Sequence, residues 1–197
     1  MEKASYLSVK CPNCGQEIKI AFETIGGQSD NTQKARLNVR IEKIEQKEAV
    51  SPYLPSSKDN VLDVVEVSAR VNNEFWNFTI YLMKKGSDGY VGTVRGFSKY
   101  MNTAKSKDFW CDENNELFVK QKFGIIAGVT NKSKMKLPDD RMYEIGRRLG
   151  LKVKEGKEGL RLYLGEKYDP NRKLSQNLQL VEKLIKVWLS FWEPDLA

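Results

Sequence analysis

The sequence predicts an α+β protein: an antiparallel sheet, either a meander or a partly open barrel, with a C-terminal helix–hairpin–helix segment packed on it. The first supporting observation is a pair of alternating stretches, Val61–Val71 and Glu74–Met83, joined by Asn72 and Asn73. Asparagine tolerates the positive φ of tight hairpin turns, so these stretches are predicted to be paired strands. The second is a change in the spacing of the apolar residues after residue 131. There much of the strand-like alternation gives way to helical spacing, with a proline and a glycine at the predicted helix ends.

Pairing Val71 with Glu74 across this turn fixes which residues share a face of the sheet. The apolar residues then fall together, with Ala69 opposite Trp76, Val67 opposite Phe78 and Val65 opposite Ile80. The opposite face is polar apart from two aromatic residues, Phe75 beside Arg70 and Tyr81 beside Val64. We therefore expect one core face and one face on which function can be sought.

Residues 90–97 are predicted to form the next strand, after a loop in residues 84–89. A four-residue loop places Gly92 beside Tyr81, where a glycine lets the ring lie flat or lets a ligand approach the backbone. The same register puts Arg95 on the apolar face near Phe78. Either Arg95 lies at the sheet edge, or the loop length is wrong by one residue.

The flanking segments extend the sheet. Residues 35–48 favour a strand, although helical spacing also fits them, and residues 117–127 are predicted to form a further strand. Between the meander and that strand, residues 98–116 are predicted to be a loop that carries Phe109 and Trp110. The chain thus divides into a Cys-x-x-Cys segment at 1–26, a sheet domain at 35–130 and a basic helix–hairpin–helix region at 131–197.

In the last region, Pro138 and the two aspartates after it open a helix that Gly150 ends. A hairpin follows, and a long helix is predicted from Asp169 to about Trp192. The broad apolar stripe of this helix fits either a core layer or a dimer seam. The candidate interface residues are Val181, Ile185, Trp188 and Trp192. The segment resembles part of a winged helix, but that fold has three helices before its wing, so a plain α+β substructure is favoured.

Cys11-Pro12-Asn13-Cys14-Gly15 lies between two short alternating stretches and resembles the first knuckle of a zinc ribbon. A complete ribbon has a second Cys-x-x-Cys, whereas the remaining cysteine here is Cys111. Three interpretations stay open: a zinc site that uses Cys11, Cys14 and Cys111 or is shared across a dimer, a knuckle that holds no metal, and a redox pair.

Composition narrows the function classes. Histidine is absent, which removes the histidine-based nucleophile systems and the commonest general base, so an enzyme is less expected. The start of the chain lacks the apolar core of a signal peptide and no apolar run reaches a membrane span, so we expect a cytoplasmic protein. Residues 131–173 hold eight lysines and five arginines against seven carboxylates, a net charge of +6. Such a field favours a polyanion, although a solvated basic surface would have the same composition.

Familiar catalytic motifs are weak here. The glycines between residues 86 and 96 lack the strand-to-helix context and the Lys-Ser/Thr of a phosphate loop. Glu-x-Lys triplets, which occur in metal-dependent nucleases, arise by chance in a chain this rich in both residues. Asp139 and Asp140 can hold a magnesium ion, but carboxylates at a helix start more often stabilise the helix.

Three functional hypotheses follow. The favoured one is a non-catalytic nucleic-acid-binding protein, with single strands considered in particular, because rings stack on bases and cations neutralise phosphates. Its candidate residues are Arg70, Phe75, Tyr81, Phe109, Trp110, Arg147, Arg148, Lys152 and Arg161. The second is a protein-binding or assembly subunit, a homodimer or larger, that associates through the last helix. The third is a carboxylate- and metal-dependent nuclease.

Overall fold

The computed structural model describes residues 5–10, 17–22, 37–47, 61–98, 102–123 and 135–196. The chain forms two compact units, Met1–Lys34 and Ala35–Ala197. In the first unit, strands β1 (Ser5–Lys10) and β2 (Glu17–Phe22) pair antiparallel. The strands predicted on either side of the Cys-x-x-Cys turn are therefore confirmed, while the turn itself lies outside the described residues.

Within its described residues, the second unit contains an eight-stranded antiparallel sheet and two α-helices, which confirms the α+β prediction. The strands are β3 (Val39–Lys47), β4 (Val61–Val71), β5 (Glu74–Met83), β6 (Tyr90–Phe97), β7 (Ala104–Cys111), β8 (Glu116–Lys120), β9 (Lys152–Gly156) and β10 (Gly159–Lys167). Their spatial order is β3-β4-β5-β6-β7-β8-β10-β9, so six strands form a meander and the last hairpin joins it through β10. The sheet is open, with β3 and β9 at its edges, and does not close into a barrel.

The predicted hairpin of β4 and β5 is confirmed residue by residue. Asn72 and Asn73 adopt positive φ of 47° and 72°, as the two-residue turn requires. The register pairs Ala69 with Trp76, Val67 with Phe78 and Val65 with Ile80, and all six side chains are buried. We call the face that carries these residues the core face and the opposite one the outer face.

Helices α1 (Asp139–Leu149) and α2 (Leu178–Trp192) both pack on the core face. The start of α1 after Pro138 and its end at Gly150, which has φ of 66°, agree with the prediction. A short 3-10 helix at Leu174–Gln176 precedes α2. Trp188 of α2 packs edge-on against Phe78, with ring centroids 5.3 Å apart, and helix and sheet thus form one core.

The pairing of β5 with β6 corrects the predicted loop length. Leu82 lies opposite Gly92 and Thr79 lies opposite Arg95, which places Arg95 on the outer face. Gly92 points to the core face, where an added Cβ would lie 2.3 Å from both the Tyr81 carbonyl oxygen and the Phe109 ring. The glycine is therefore required by close packing in the core, and not by a flat ring on the outer face.

Residues 104–111 form strand β7, so the predicted loop at 98–116 was wrong over these residues. Lys105 and Lys107 occupy core-face positions of this strand and interrupt the apolar alternation. The Lys107 ammonium donates to the Lys120 carbonyl at 2.7 Å and lies 3.6 Å from the centre of the Phe191 ring. Lys105 approaches the buried Glu193 carboxylate at 3.6 Å. These contacts offset part of the cost of burying the two lysines. Burial nevertheless lowers the pKa of the Lys107 ammonium well below its usual range, and the charge of Asp108 opposes this shift.

The last helix begins at Leu178, nine residues after the predicted start. Two polar side chains hold the preceding segment out of the helix. The Asp63 carboxylate accepts the Leu174 N–H at 2.6 Å, and the Asn177 side chain caps α2 by accepting the Leu180 N–H at 3.2 Å. The residues proposed for an interface, Val181, Ile185, Trp188 and Trp192, are all buried in the core of this chain. These four side chains pack within the chain's own core, whereas Leu178 of the same helix is 51% exposed. Association through this helix stays a prediction.

Candidate functional site

Part of the outer face of the sheet is exposed to solvent. Both described α-helices lie on the core face, and two large aromatic side chains on the outer face are exposed to solvent, Phe75 to 68% and Phe97 to 56%. Gly96 on β6 pairs with Phe78 on β5, and Phe97 follows Gly96. The rings of Phe97 and Phe75 therefore lie on adjacent strands, toward the same end of the sheet. We call Phe75 and Phe97 the exposed ring pair.

Arg70 is held beside the exposed ring pair by several contacts. Its guanidinium carbon lies 3.8 Å from the centre of the Phe75 ring. It also donates to the Asn73 carbonyl at 3.3 Å and approaches the Glu42 carboxylate at 3.3 Å. Arg40, directly opposite Arg70 on β3, contacts the same carboxylate. Arg70 thus lies on the Phe75 ring, and Glu42 links it to Arg40 on the neighbouring strand.

Two predicted aromatic residues are not available on this surface. Tyr81 is on the outer face, as predicted, but only 4% of it is exposed, as little as its cross-strand neighbour Val64. Phe109 lies on the core face and is fully buried. Phe97 is exposed on the outer face instead. It was missed because the assumed length of the β5–β6 loop shifted the register and placed Phe97 on the core face.

A row of four aromatic side chains crosses the other half of the outer face. This aromatic row takes one residue from each of four neighbouring strands: Tyr90, Trp110, Phe118 and Tyr163. Successive ring centroids are 5.8, 6.4 and 5.4 Å apart. Trp110 was a predicted site residue and is partly exposed, whereas Phe118 and Tyr163 are buried.

Three cations cover this aromatic row, one for each of three rings. Lys120 lies 4.6 Å from the centre of the Trp110 ring, Arg161 lies 4.5 Å from Phe118 and Lys154 lies 4.1 Å from Tyr163. Arg161 is the direct cross-strand partner of both lysines. We call Lys120, Arg161 and Lys154 the cation row.

Nearby carboxylates neutralise part of the cation row. Glu158 pairs with Lys120 at 3.0 Å, and this lysine is the main cause that lowers the pKa of the Glu158 carboxyl. Glu116 lies 3.3 Å from Lys154. Among the described residues, Arg161 has no carboxylate within ion-pair distance.

The centre of the outer face carries one half-buried acid. Burial raises the pKa of the Asp108 carboxyl, and a hydrogen bond from Thr93 and the charge of Lys107 oppose this shift. Burial also raises the pKa of the Tyr90 hydroxyl, with a smaller contribution from the negative charge of Asp108. Tyr90 therefore stays neutral at physiological pH.

The predicted basic residues separate into two groups. Arg161 and Lys152 lie on the outer face, the latter opposite Tyr163. Arg147 and Arg148 lie on α1, which packs on the core face through Gly146. The structure therefore does not bring Arg147 and Arg148 together with the other candidates.

The zinc prediction stays a prediction, because Cys11 and Cys14 lie outside the described residues. Cys111 is buried in the core of the second unit, and burial raises the pKa of its thiol. Within the described parts of the chain, no three Cys, Asp or Glu side chains cluster in a way that could hold a metal ion. In the same residues no helix is long and apolar enough to cross a membrane.

Comparison with known proteins gives one strong match. No family model matches the chain, and no solved structure does either. The chain is 46% identical over 215 aligned residues to "Uncharacterized protein MJ0042" of Methanocaldococcus jannaschii. The alignment covers 96% of this chain and 100% of that protein.

Proposed function

The chain belongs to the same family as this Methanocaldococcus jannaschii protein, and we propose that it binds single-stranded nucleic acid on the outer face of its sheet. The observation that carries the proposal is the exposed ring pair. Phe75 and Phe97 are exposed to solvent on adjacent strands, and the Arg70 guanidinium lies over one face of the Phe75 ring. A folded protein gains little from two exposed phenylalanine rings, whereas a base stacked on one gains about 1–3 kcal/mol.

The cations of the same face supply the second component of such binding. Arg70 contacts Phe75, Arg40 lies opposite Arg70 on β3, and the cation row lies over the other half of the sheet. Lysine and arginine that contact phosphates release counterions, so the affinity of this binding depends on salt and little on base sequence. Single strands suit an open sheet face because their bases are free to stack on side chains.

Binding of a fluorescently labelled single-stranded oligonucleotide, followed by anisotropy over a range of salt concentrations, tests the proposal. Phe75→Ala and Phe97→Ala should each weaken binding about 5- to 150-fold, the equivalent of one lost stacking contact. Tyr143→Ala is the matched control, because Tyr143 is 52% exposed but lies on α1, which packs on the opposite face.

Two results would overturn the proposal. One is a wild-type protein that does not bind the oligonucleotide even at low salt. The other is a Phe75→Ala/Phe97→Ala double variant that binds as tightly as the Tyr143→Ala control. A duplex of the same sequence, whose bases are already stacked, should bind the outer face more weakly than the single strand.

A further inference from the structure

The cation row is unfavourable for folding. Lys120, Arg161 and Lys154 lie directly opposite one another on β8, β10 and β9. Like charges in direct cross-strand positions destabilise a sheet, and any polar residue would serve at these outer positions. The rings beneath the cations and the two nearby carboxylates reduce the repulsion without removing the excess charge. The alignment therefore calls for an explanation outside the fold.

A groove of about 710 Å³ runs over this part of the outer face. Its walls include Phe118 and four cations: Lys85, Lys120, Lys157 and Arg161. Asp88 and Asp112, which also line it, have their carboxylates engaged by backbone N–H groups at 3.0 and 2.9 Å. Glu158 is paired with Lys120. Glu113 also lines the groove, so its four acids equal its four cations in number. Asp88, Asp112 and Glu158 are engaged within the chain, while Arg161 lacks an acidic partner among the described residues.

Gly156 determines where the Arg161 side chain lies. A Cβ added at Gly156 would come within 2.4 Å of the Arg161 Nε and 2.9 Å of its Cδ. The absence of a side chain at this position lets the arginine lie against the β9–β10 hairpin, with its guanidinium over the Phe118 ring. A guanidinium held in this way can donate two parallel hydrogen bonds to a phosphate.

From the register, the groove and this arginine we propose that the cation row is a binding site for the phosphate groups of a polyanionic chain. The row crosses three strands, so it is about 10 Å long and lies at right angles to them. A phosphate chain along the row contacts Lys120 and Arg161, which line the groove, and Lys154 next to them. It supplies a negative charge to Arg161, the member of the row that has no carboxylate partner among the described residues. The site contacts phosphates and not bases. It rests on the proposed function in one respect, that the natural ligand is a nucleic acid.

The test uses two probes on the full chain: inorganic polyphosphate, which has no bases, and the labelled single-stranded oligonucleotide. Arg161→Ala and Lys154→Ala should weaken the binding of both probes. Each should also lower the slope of log affinity against log salt for the oligonucleotide by about 0.7, the value for one lost phosphate contact on a single strand. Arg147→Ala is the control, since it removes the same charge from an exposed position on α1 and should leave both slope and affinity nearly unchanged.

Gly156→Ala gives a second measurement that keeps every charge. The new methyl group displaces the Arg161 side chain, which is flexible enough to move without a change in the backbone. Binding of polyphosphate should fall several-fold although the net charge is the same as in the wild type. Thermal melts of all variants establish that each is folded at the temperature of the binding assay.

The outcomes separate the two proposals. If Arg161→Ala and Lys154→Ala lower affinity and slope no more than Arg147→Ala does, the cation row is not the phosphate site, whatever the effect of Phe75→Ala. If they abolish polyphosphate binding while Phe75→Ala and Phe97→Ala leave oligonucleotide binding unchanged, the phosphate site stands and base stacking is refuted.

Discussion

Trp188 provides the most direct test of the packing of α2 on the sheet. Its side chain is fully buried and packs against Trp76 and Phe78, with ring centroids 6.2 and 5.3 Å away. Its indole N–H donates to the Lys105 carbonyl at 3.1 Å. The alternative considered from the sequence, an interface residue, would leave the folded monomer intact when replaced. The two roles therefore predict different results for Trp188→Ala.

The magnitude follows from these contacts. Replacing a buried tryptophan by alanine costs about 3–5 kcal/mol, and a buried carbonyl that loses its donor adds about 1 kcal/mol or more. The total of about 4–6 kcal/mol is a large part of the roughly 5–15 kcal/mol that stabilises a whole domain. Trp188→Phe keeps an aromatic ring against Phe78 but loses the N–H, so it should cost less, about 1–3 kcal/mol.

Urea denaturation followed by circular dichroism measures both variants, and size-exclusion chromatography at several concentrations gives their oligomeric state. Trp192→Phe is a useful comparison, because Trp192 donates to the Ser106 carbonyl at 3.2 Å but lies nearer the surface. A loss of less than about 1 kcal/mol for Trp188→Ala, together with a change in oligomeric size, would refute the packing of Trp188 in the core and favour an interface role for this helix.

Three further predictions concern positions that the fold constrains. Asp63→Ala should lower the free energy of unfolding by about 1–3 kcal/mol in urea denaturation, because the Leu174 N–H and the Gln46 amide lose their acceptor. A free energy of unfolding equal to that of the wild type would contradict this prediction. Gly92→Ala should cost at least about 1–3 kcal/mol, since the new Cβ meets the Tyr81 carbonyl oxygen, whereas Gly150→Ala meets no atom and should show only the milder strain of its positive φ. Burial raises the pKa of Asp108 in the folded state above its ordinary value of 3.8, so the folded state binds the proton more tightly than the unfolded state does. The contribution of Asp108 to stability therefore falls as the pH rises from the unfolded-state pKa through the folded-state pKa. Asp108→Asn should melt at a higher temperature than the wild type at pH 7, by a margin that shrinks in acid, and thermal melts across pH measure it.

The parts of the fold that sequence could predict were those in which neighbouring segments pair. The β4–β5 register followed from the asparagine pair and the alternation alone, and α1 followed from Pro138 and Gly150. Both depend on contacts between residues close in sequence, where turn chemistry fixes the geometry. The start of α2 could not be placed, because it depends on Asp63, a residue 111 positions before its partner Leu174.

The site was predictable to a smaller degree for the same reason. Phe75 and Arg70 were found because they share the local hairpin. Phe118, Tyr163 and Lys120 were missed because β8 meets β10 across an intervening helix and strand, with no turn to set the register. Phe109 was misplaced because two inward lysines hid the strand that carries it. Surface residues that long-range strand pairing brings together leave no local pattern in a single sequence.

Charges in two places contradict the simple pattern of the sheet, and the way each is compensated distinguishes a structural role from a binding role. Lys105 and Lys107 occupy core positions, where a carboxylate, backbone carbonyls and aromatic rings contact them and where burial lowers the pKa of Lys107. The cation row lies on the surface, where the fold demands no charge, and yet it aligns three cations with Arg161 unpaired among the described residues. Contacts within the chain account for the two buried lysines. In the cation row, they leave Arg161 without a carboxylate partner among the described residues. A polyanion that supplies the missing charge is the physical reason to look for function on the outer face.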